Sequence, residues 1–345
     1  MNILLVAINA KYIHSNLAVY NLKACSGKYE DNITIAEYTI NEYPEVILRE
    51  IYNHHPDLVA VSCYIWNITF VEEVFKDFNR ICPDIPIWVG GPEVSYESVR
   101  FLEEHPYITG VMRGEGEETF AELLNSYYDN EIKLSDLSGI TYRDKDGTIH
   151  DNDMRNLVNM DSIPFVYENI SDFKNKIIYY ESSRGCPFSC SYCLSSIDKK
   201  VRFRSMDKVK KELLFFINND VPQVKFVDRT FNCDRLRARQ IWQFLIDNDK
   251  GITNFHFEVG ADLLQEEDFE IFKNMRRGLI QLEIGVQSTN DKTLSEIRRT
   301  MDLDKLRDSV AYVLEHENIH QHLDLIAGLP YENFDSFRKS FKDVF

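Results

Sequence analysis

Short apolar runs alternate with amphipathic stretches along most of the chain. "NILLVAI" (2–8) is continuously apolar, the pattern of a strand buried on both faces. Helical sequence runs from about Asn16 to Cys25. "ITIAEYT" (33–39), "LVAVSCY" (58–64), "IPIWVGG" (85–91) and "ITGVMRG" (108–114) repeat the strand pattern. Each is followed by a helical stretch: 44–53, 68–81, 94–104 and 115–128. Five such units predict an α/β, doubly wound (Rossmann-like) parallel sheet, with ligands at the carboxyl ends of its strands.

The pattern then changes. "SGITYRDKDGTIHDN" reads as a hairpin turning at Lys145-Asp146-Gly147, and "MDSIPFVYENI" as a connector. Alternation resumes with strands at 176–182, 223–229, 254–260, 279–288 and 322–328. Helices are expected at 206–219, 234–248, 265–275, from about Asp291 to Glu315, and after Asn333. Five further strand–helix units predict a partial (β/α) barrel of the TIM type. The expected domains are therefore 1–135, a connector at 136–175, and 176–345. Phe334, Phe337, Phe341 and Phe345 share a helical face with no stop signal after them. A barrel short of its last strand and helix, and of a further domain, is the expectation.

Composition narrows the class. A chain of 345 residues is long for one core, which agrees with two domains. A net charge of -17 repels phosphate backbones, so nucleic acid is not a favoured partner. No apolar run has the length of a membrane span, and "MNILLVAINA" lacks the basic flank of a signal peptide. Seven cysteines, three of them clustered, fit a reducing cytoplasm and a metal site better than a disulfide framework.

The cluster lies in "SSRGCPFSCSYCLSS" (182–196), where Cys186, Cys190 and Cys193 are spaced C-x3-C-x2-C. A zinc ribbon adds a second pair roughly 15–20 residues away. The only later cysteine, Cys233, has no companion. A ferredoxin-like carrier uses four thiolates. Three thiolates serve three irons of a four-iron cluster and leave the fourth open to a ligand. Structural cysteines or a zinc loop are the competing reading.

"RGCPFSCSYC", with Tyr192 before the third cysteine and a barrel strand before the loop, resembles the radical S-adenosylmethionine (SAM) superfamily. The resemblance implies a four-iron four-sulfur cluster on Cys186, Cys190 and Cys193, with SAM chelating the open iron. It implies cleavage of SAM to methionine and a 5′-deoxyadenosyl radical, with electrons from a flavodoxin- or ferredoxin-type donor. It also implies SAM contacts at Tyr192, at Glu258, at Gln287 and Ser288 in "EIGVQS", and at Arg299 in "LSEIRRTM". Arg298 competes with Arg299, and "IAGLPYE" (326–332) resembles the adenine-packing segment. The family's glycine-rich turn after the second strand is absent. "VDRTFN" (227–232) stands there, and Asp228 is the candidate for the SAM amino group. For each acid or arginine, an ordinary ion pair is the alternative.

The first domain resembles cobalamin-binding domains through Ser62-Cys63-Tyr64 and Gly90-Gly91 at successive strand ends. Paired glycines let a backbone approach a nucleotide tail closely. The resemblance implies cobalamin contacts at Ser62, Tyr64, Gly90 and Gly91, and near His14 in "YIHSNL". Cobalamin domains of the methionine synthase type carry Asp-x-His-x-x-Gly there. Tyr12 and Leu17 replace the aspartate and the glycine, so a hydrogen-bonding or packing role for His14 is preferred to cobalt ligation. "RGEGEETFAELL" (113–124) also recurs in the subfamily, although an acidic helix start accounts for it. A second cluster on Cys25, Cys63 and Cys82, as in methylthiotransferases, is disfavoured against buried small hydrophobes. The resemblance as a whole implies a cobalamin-dependent radical SAM enzyme that methylates an unactivated centre of an unknown substrate. The alternatives are a cyclisation, rearrangement or oxidation with the same cofactors, and a non-catalytic iron–sulfur or cobalamin carrier.

Overall fold

The computed structural model describes residues 1–129 and 131–345. The chain divides into two compact units, Met1–Lys176 and Ile177–Phe345. In the first unit the elements run β1 (Ile3–Asn9), α1 (Leu17–Ala24), β2 (Ile33–Thr39), α2 (Pro44–Asn53), β3 (Leu58–Ser62) and α3 (Ile68–Ile81). They continue with β4 (Ile87–Gly90), α4 (Pro92–Ser95), α5 (Ser98–Glu104), β5 (Gly110–Met112), α6 (Glu117–Tyr128), β6 (Ile140–Arg143) and β7 (Ile149–Asp151). The sheet order is β2-β1-β3-β4-β5-β6-β7, parallel through β5 and antiparallel at β6 and β7.

Alternation along β1 explains the double winding. Leu4, Val6 and Ile8 pack with Ile47 and Ile51 of α2 and with Val74, Phe75 and Phe78 of α3. Ile3, Leu5 and Ala7 pack with Val19 of α1 and with Phe120, Leu123 and Leu124 of α6. A strand covered on both faces has no polar side to present, hence the unbroken apolar run. The hairpin β6–β7 does not stand apart. It extends the first sheet and is tied there by Arg113, whose Nη1 lies 2.9 Å from an Asp151 carboxylate oxygen and whose Nη2 donates to the Ile140 carbonyl at 3.2 Å. Within "RGEGEETF", Glu115 accepts from the Val158 N–H at 2.7 Å. The helix-start account of that motif was incomplete: it also anchors the connector.

The helix expected over 94–104 is split into α4 and α5. Ser98 spends its hydroxyl on Thr141 of β6, at 2.7 Å, a partner that helical periodicity does not show.

The second unit contains β8 (Ile178–Tyr180), β9 (Ser183–Arg184), β10 (Arg202–Phe203), α7 (Met206–Asn218), β11 (Gln223–Phe226) and α8 (Arg235–Asn248). Then come β12 (Asn254–Val259), α9 (Glu266–Lys273), β13 (Ile280–Gln287), α10 (Asp291–Glu296), α11 (Leu303–His316), β14 (His320–Leu325) and α12 (Phe334–Val344). β8, β11, β12, β13 and β14 form a five-stranded parallel sheet in sequence order, the arrangement of a partial (β/α) barrel. β13 alternates strictly, with Ile280, Leu282, Ile284 and Val286 buried. On α12 the buried position is Ser340, and Phe334, Phe341 and Phe345 of the shared apolar face are exposed. Among the described residues, no helix is long and apolar enough to cross a membrane.

Candidate functional site

The cysteine loop is built from β8 outward. β9 and β10 pair across its base, and Gly185 between them and Cys186 adopts a φ of +99°. A Cβ on Gly185 would stand 2.6 Å from the Lys200 carbonyl oxygen, so glycine is required there. The Cys186 N–H donates to the Asp198 carbonyl at 3.1 Å, and the Cys193 N–H to the Cys190 carbonyl at 3.2 Å. Cys186 and Cys190 are buried, and Cys193 is partly exposed. Cys186 Sγ lies 3.8 Å from Thr230 Oγ1.

Arg299 reaches the loop because its helix stops. The expected helix over 291–315 breaks after α10. The Ile297 carbonyl is taken by the Ser191 N–H of the cysteine loop at 2.9 Å, and Arg298 turns left-handed at φ +54°. This turn separates the two arginines. Arg299 donates through Nη2 to the Gly285 carbonyl, and its Nη1 is 3.8 Å from Cys190 Sγ. Its Nε is buried without a partner. Among the described residues, no three His, Cys, Asp or Glu side chains converge as ligands of one metal ion.

The remaining expected SAM residues fall into two sets. Tyr192 is 41% exposed, and Glu258 lies on β12 with Arg229 in electrostatic range. Gln287 closes β13 at a bulge with φ +70°, a strained backbone for a residue with a Cβ. Asp228 and Ser288 are already engaged within the protein. Asp228 is buried and accepts from the Ser182 N–H at 2.8 Å and from the Ser182 and Ser183 hydroxyls at 2.6 Å each. Burial pushes its carboxyl up to about 6 against those bonds. The Ser288 hydroxyl donates to Glu332 at 2.7 Å, which fixes the 326–332 segment.

Burial pushes the Glu258 carboxyl up to about 7, with Arg229 opposing and Glu283 adding to the rise. A raised folded value means stability that is complete below the ordinary carboxylate range and is lost as pH rises through 7. Glu258→Gln removes that loss. Its melting temperature relative to the parent is expected to rise between pH 6 and pH 8, by the equivalent of about 1.4 kcal/mol. A pH-independent difference in thermal melts would refute this.

In the first unit the strand order reverses between β1 and β3, the position where open parallel sheets bind ligands. Ser62 Oγ accepts from Asn16 Nδ2 at 3.1 Å. Gly91, at φ +113°, packs on Cys63: a Cβ would overlap the Cys63 carbonyl oxygen and stand 3.1 Å from its nitrogen. Gly90 lies beside Met112. Tyr64 stacks on Trp66 with centroids 4.4 Å apart, and Tyr12, Ile13, Ile65 and Trp66 are exposed on the β1–α1 and β3–α3 loops. His14 stands in the first of these loops, with its carbonyl accepting from Asn9 Nδ2 at 3.2 Å. Asn16 Oδ1 is buried without a partner. An apolar rim around an unmatched polar acceptor suits a large planar cofactor with an amide-bearing periphery. Cys63 lies at a strand's carboxyl end, and Cys25 and Cys82 at the carboxyl ends of α1 and α3, so the three do not converge. Burial pushes the Cys63 thiol far up, away from thiolate chemistry.

Several residues escaped the sequence reading. Asn67 is fully buried and clamps the Ser62–Tyr64 turn, donating to the Ile8 and Ser62 carbonyls at 3.0 Å each and accepting from the Tyr64 N–H at 2.7 Å. Glu283 holds Lys225 at 2.8 Å and His256 at 2.9 Å. The His256 contact, with help from Lys225, takes its carboxyl down to about 2. Charges at alternate positions of "KF", "HFE" and "QLE" were the available signal for this polar face.

Comparison with known proteins follows the same division. A B12 binding domain model matches residues 3–124, and a radical SAM superfamily model matches residues 180–344. The cobalamin-dependent radical SAM methyltransferase TokK of Streptomyces tokunonensis is 27% identical over 301 residues, covering 82% of this chain and 44% of that protein. The anaerobic magnesium-protoporphyrin IX monomethyl ester cyclase of Cereibacter sphaeroides is 24% identical over 336 residues, covering 89% and 52%. Among solved structures, the cobalamin-dependent SAM radical enzyme OxsB with aqua-cobalamin and SAM bound shares the fold. Its TM-score is 0.77 at 19% identity, over 99% of this chain and 51% of that one. The chain spans about half the length of the curated relatives it matches. With the two models matched in order, one in each unit, the chain belongs to the radical SAM proteins that carry a B12-binding domain.

Proposed function

We propose that the chain is the cofactor-bearing part of a cobalamin-dependent radical SAM enzyme, and that its reaction is methylation of a centre that offers no nucleophile. The observation that carries this reading is the loop after β8. Three thiols sit on one rigid turn without a fourth, beside a guanidinium with an unpartnered nitrogen. Bound to these two units, the cluster with SAM supplies a 5′-deoxyadenosyl radical and the corrin supplies a methyl group.

The residues divide the work. Cys186, Cys190 and Cys193 would hold the cluster as thiolates, and the burial of the first two would keep water from it. Arg299 offers Nε to the SAM carboxylate while the Gly285 carbonyl fixes its plane. Glu258 and Gln287 stand at strand ends for the ribose hydroxyls, and Tyr192 covers the open side of the loop. Asp228 holds Ser182 and Ser183, and so the start of the loop, in place of a direct SAM contact. Ser288 sets the adenine-facing segment through Glu332. In the first unit, Ser62, Tyr64, Gly90 and Gly91 would contact the corrin, with His14 on the neighbouring β1–α1 loop. A flavodoxin- or ferredoxin-type donor supplies electrons.

Protein reconstituted anaerobically with iron, sulfide and hydroxocobalamin is expected to hold close to one corrin and four irons per chain. With SAM and dithionite it should form 5′-deoxyadenosine, and the full-length protein should form S-adenosylhomocysteine with its substrate. A preparation with one zinc and no iron would overturn the cluster. Iron without SAM cleavage would leave a carrier, and turnover without S-adenosylhomocysteine would exclude methyl transfer.

A further inference from the structure

Resting on the proposed corrin site, we infer that Glu37 is a positioning residue for it, joining the two loops of the corrin face through Asn9, Asn16 and Lys176. Glu37 lies on β2, in register with Ala7 of β1, and its side chain is only 10% exposed. One carboxylate oxygen accepts from Asn9 Nδ2 at 3.1 Å and from the Asn16 N–H at 2.9 Å. The other accepts from the Tyr20 hydroxyl at 2.8 Å and from Lys176 Nζ. Each asparagine then reaches the site. Asn9 Nδ2 also donates to the His14 carbonyl at 3.2 Å, and Asn16 Nδ2 donates to Ser62 Oγ at 3.1 Å. One buried carboxylate therefore sets the β1–α1 loop, which carries His14, and the hydroxyl of Ser62 on β3.

The charge is essential to this geometry. Burial alone would raise the Glu37 carboxyl, but Lys176, the Asn16 N–H and Tyr20 hold it below the usual range. An ionised carboxylate presents acceptors only, and all four of its neighbours donate. A glutamine would place an NH2 group against the Tyr20 hydroxyl and the Lys176 ammonium. Lys176 also lies 5.7 Å from the centroid of Tyr12, on the same loop as His14. It is the last residue of the first unit, two positions before β8. Glu37, Asn9, Tyr20 and Lys176 lie outside the segments that resemble cobalamin motifs, and "ITIAEYT" reads as plain strand.

The test measures hydroxocobalamin affinity by equilibrium dialysis of the reconstituted chain, together with amide hydrogen exchange at residues 10–17 and 62–67 of the apo chain. Glu37→Gln and Lys176→Met are expected to weaken binding by at least about tenfold and to speed exchange in both loops. Lys176→Arg, which keeps the ion pair, is expected to restore both. Trp88→Phe, a fully buried core change in the same sheet, supplies a destabilised control that should keep parental affinity. Parental affinity and exchange in Glu37→Gln would overturn the inference, as would equal weakening in Trp88→Phe at a matched melting temperature. If the parent retains no cobalamin, the corrin reading falls, and the exchange rates still decide whether Glu37 sets the loops.

Discussion

Cys190→Ala is expected to reduce iron incorporation and 5′-deoxyadenosine formation to background in an otherwise folded protein. In the proposed cluster each thiolate has its own iron, so losing one would open a second iron to solvent and remove an anchor that the cluster cannot replace. Cys186→Ala and Cys193→Ala should behave alike. The fold should tolerate the change, because the loop backbone is held independently by the Asp198 and Ile297 carbonyls. Cys233→Ala is the informative contrast. Burial pushes that thiol up to about 11, which leaves it protonated, and the three-thiolate reading requires it to keep iron and activity. Iron analysis and absorbance of the reconstituted variants decide the matter. Cluster loss in Cys233→Ala as complete as in Cys190→Ala would mean a fourth protein ligand and no open iron for SAM.

Gly91→Ala is expected to destabilise the first unit by about 2–4 kcal/mol and to abolish cobalamin retention. Two costs add at this position. The backbone occupies a φ of +113°, which residues with a Cβ avoid, and the Cβ itself would collide with the Cys63 carbonyl. Neither is relieved by a side-chain rotation, because the obstacle is backbone in the adjoining strand's turn. That turn is held in place by Asn67 and by the Cys63 N–H donating to the Gly90 carbonyl at 2.7 Å. Relief of the clash must therefore displace Ser62 or Tyr64, which is why binding should fail with stability. Gly147→Ala, in the exposed hairpin turn at φ +85° with no atom within 4 Å, isolates the backbone term and should cost about 1–2 kcal/mol with binding intact. Thermal melts with and without hydroxocobalamin compare the two. A Gly91→Ala protein that melts and binds like the parent would refute both the packing argument and the placement of the corrin.

Much of the architecture was legible because burial on both faces leaves a local trace. The apolar runs of β1, β3 and β4 and the helical stretches at 44–53 and 68–81 coincide with the observed elements to within a few residues. The two helices expected in one piece share one cause of misreading. The breaks between α4 and α5 and between α10 and α11 accompany hydrogen bonds to distant partners, Thr141 and Ser191. A helical period over 291–315 carries no sign that the Ile297 carbonyl is claimed by Ser191, yet that bond ends the helix and turns Arg299 to the cysteines.

The sequence by itself determined the two-unit α/β plan, the three-thiol loop and the glycine pair, since each is written in the spacing of a few neighbouring residues. Only the tertiary structure decided how these pieces are held. Asp228 turned out to brace the loop, Gly91 to make room for Cys63, and Glu37 to gather two asparagines, a tyrosine and a lysine. Hydrogen bonds between residues 17 to 139 positions apart have no period and no motif. Their geometry exists only after the strands have paired.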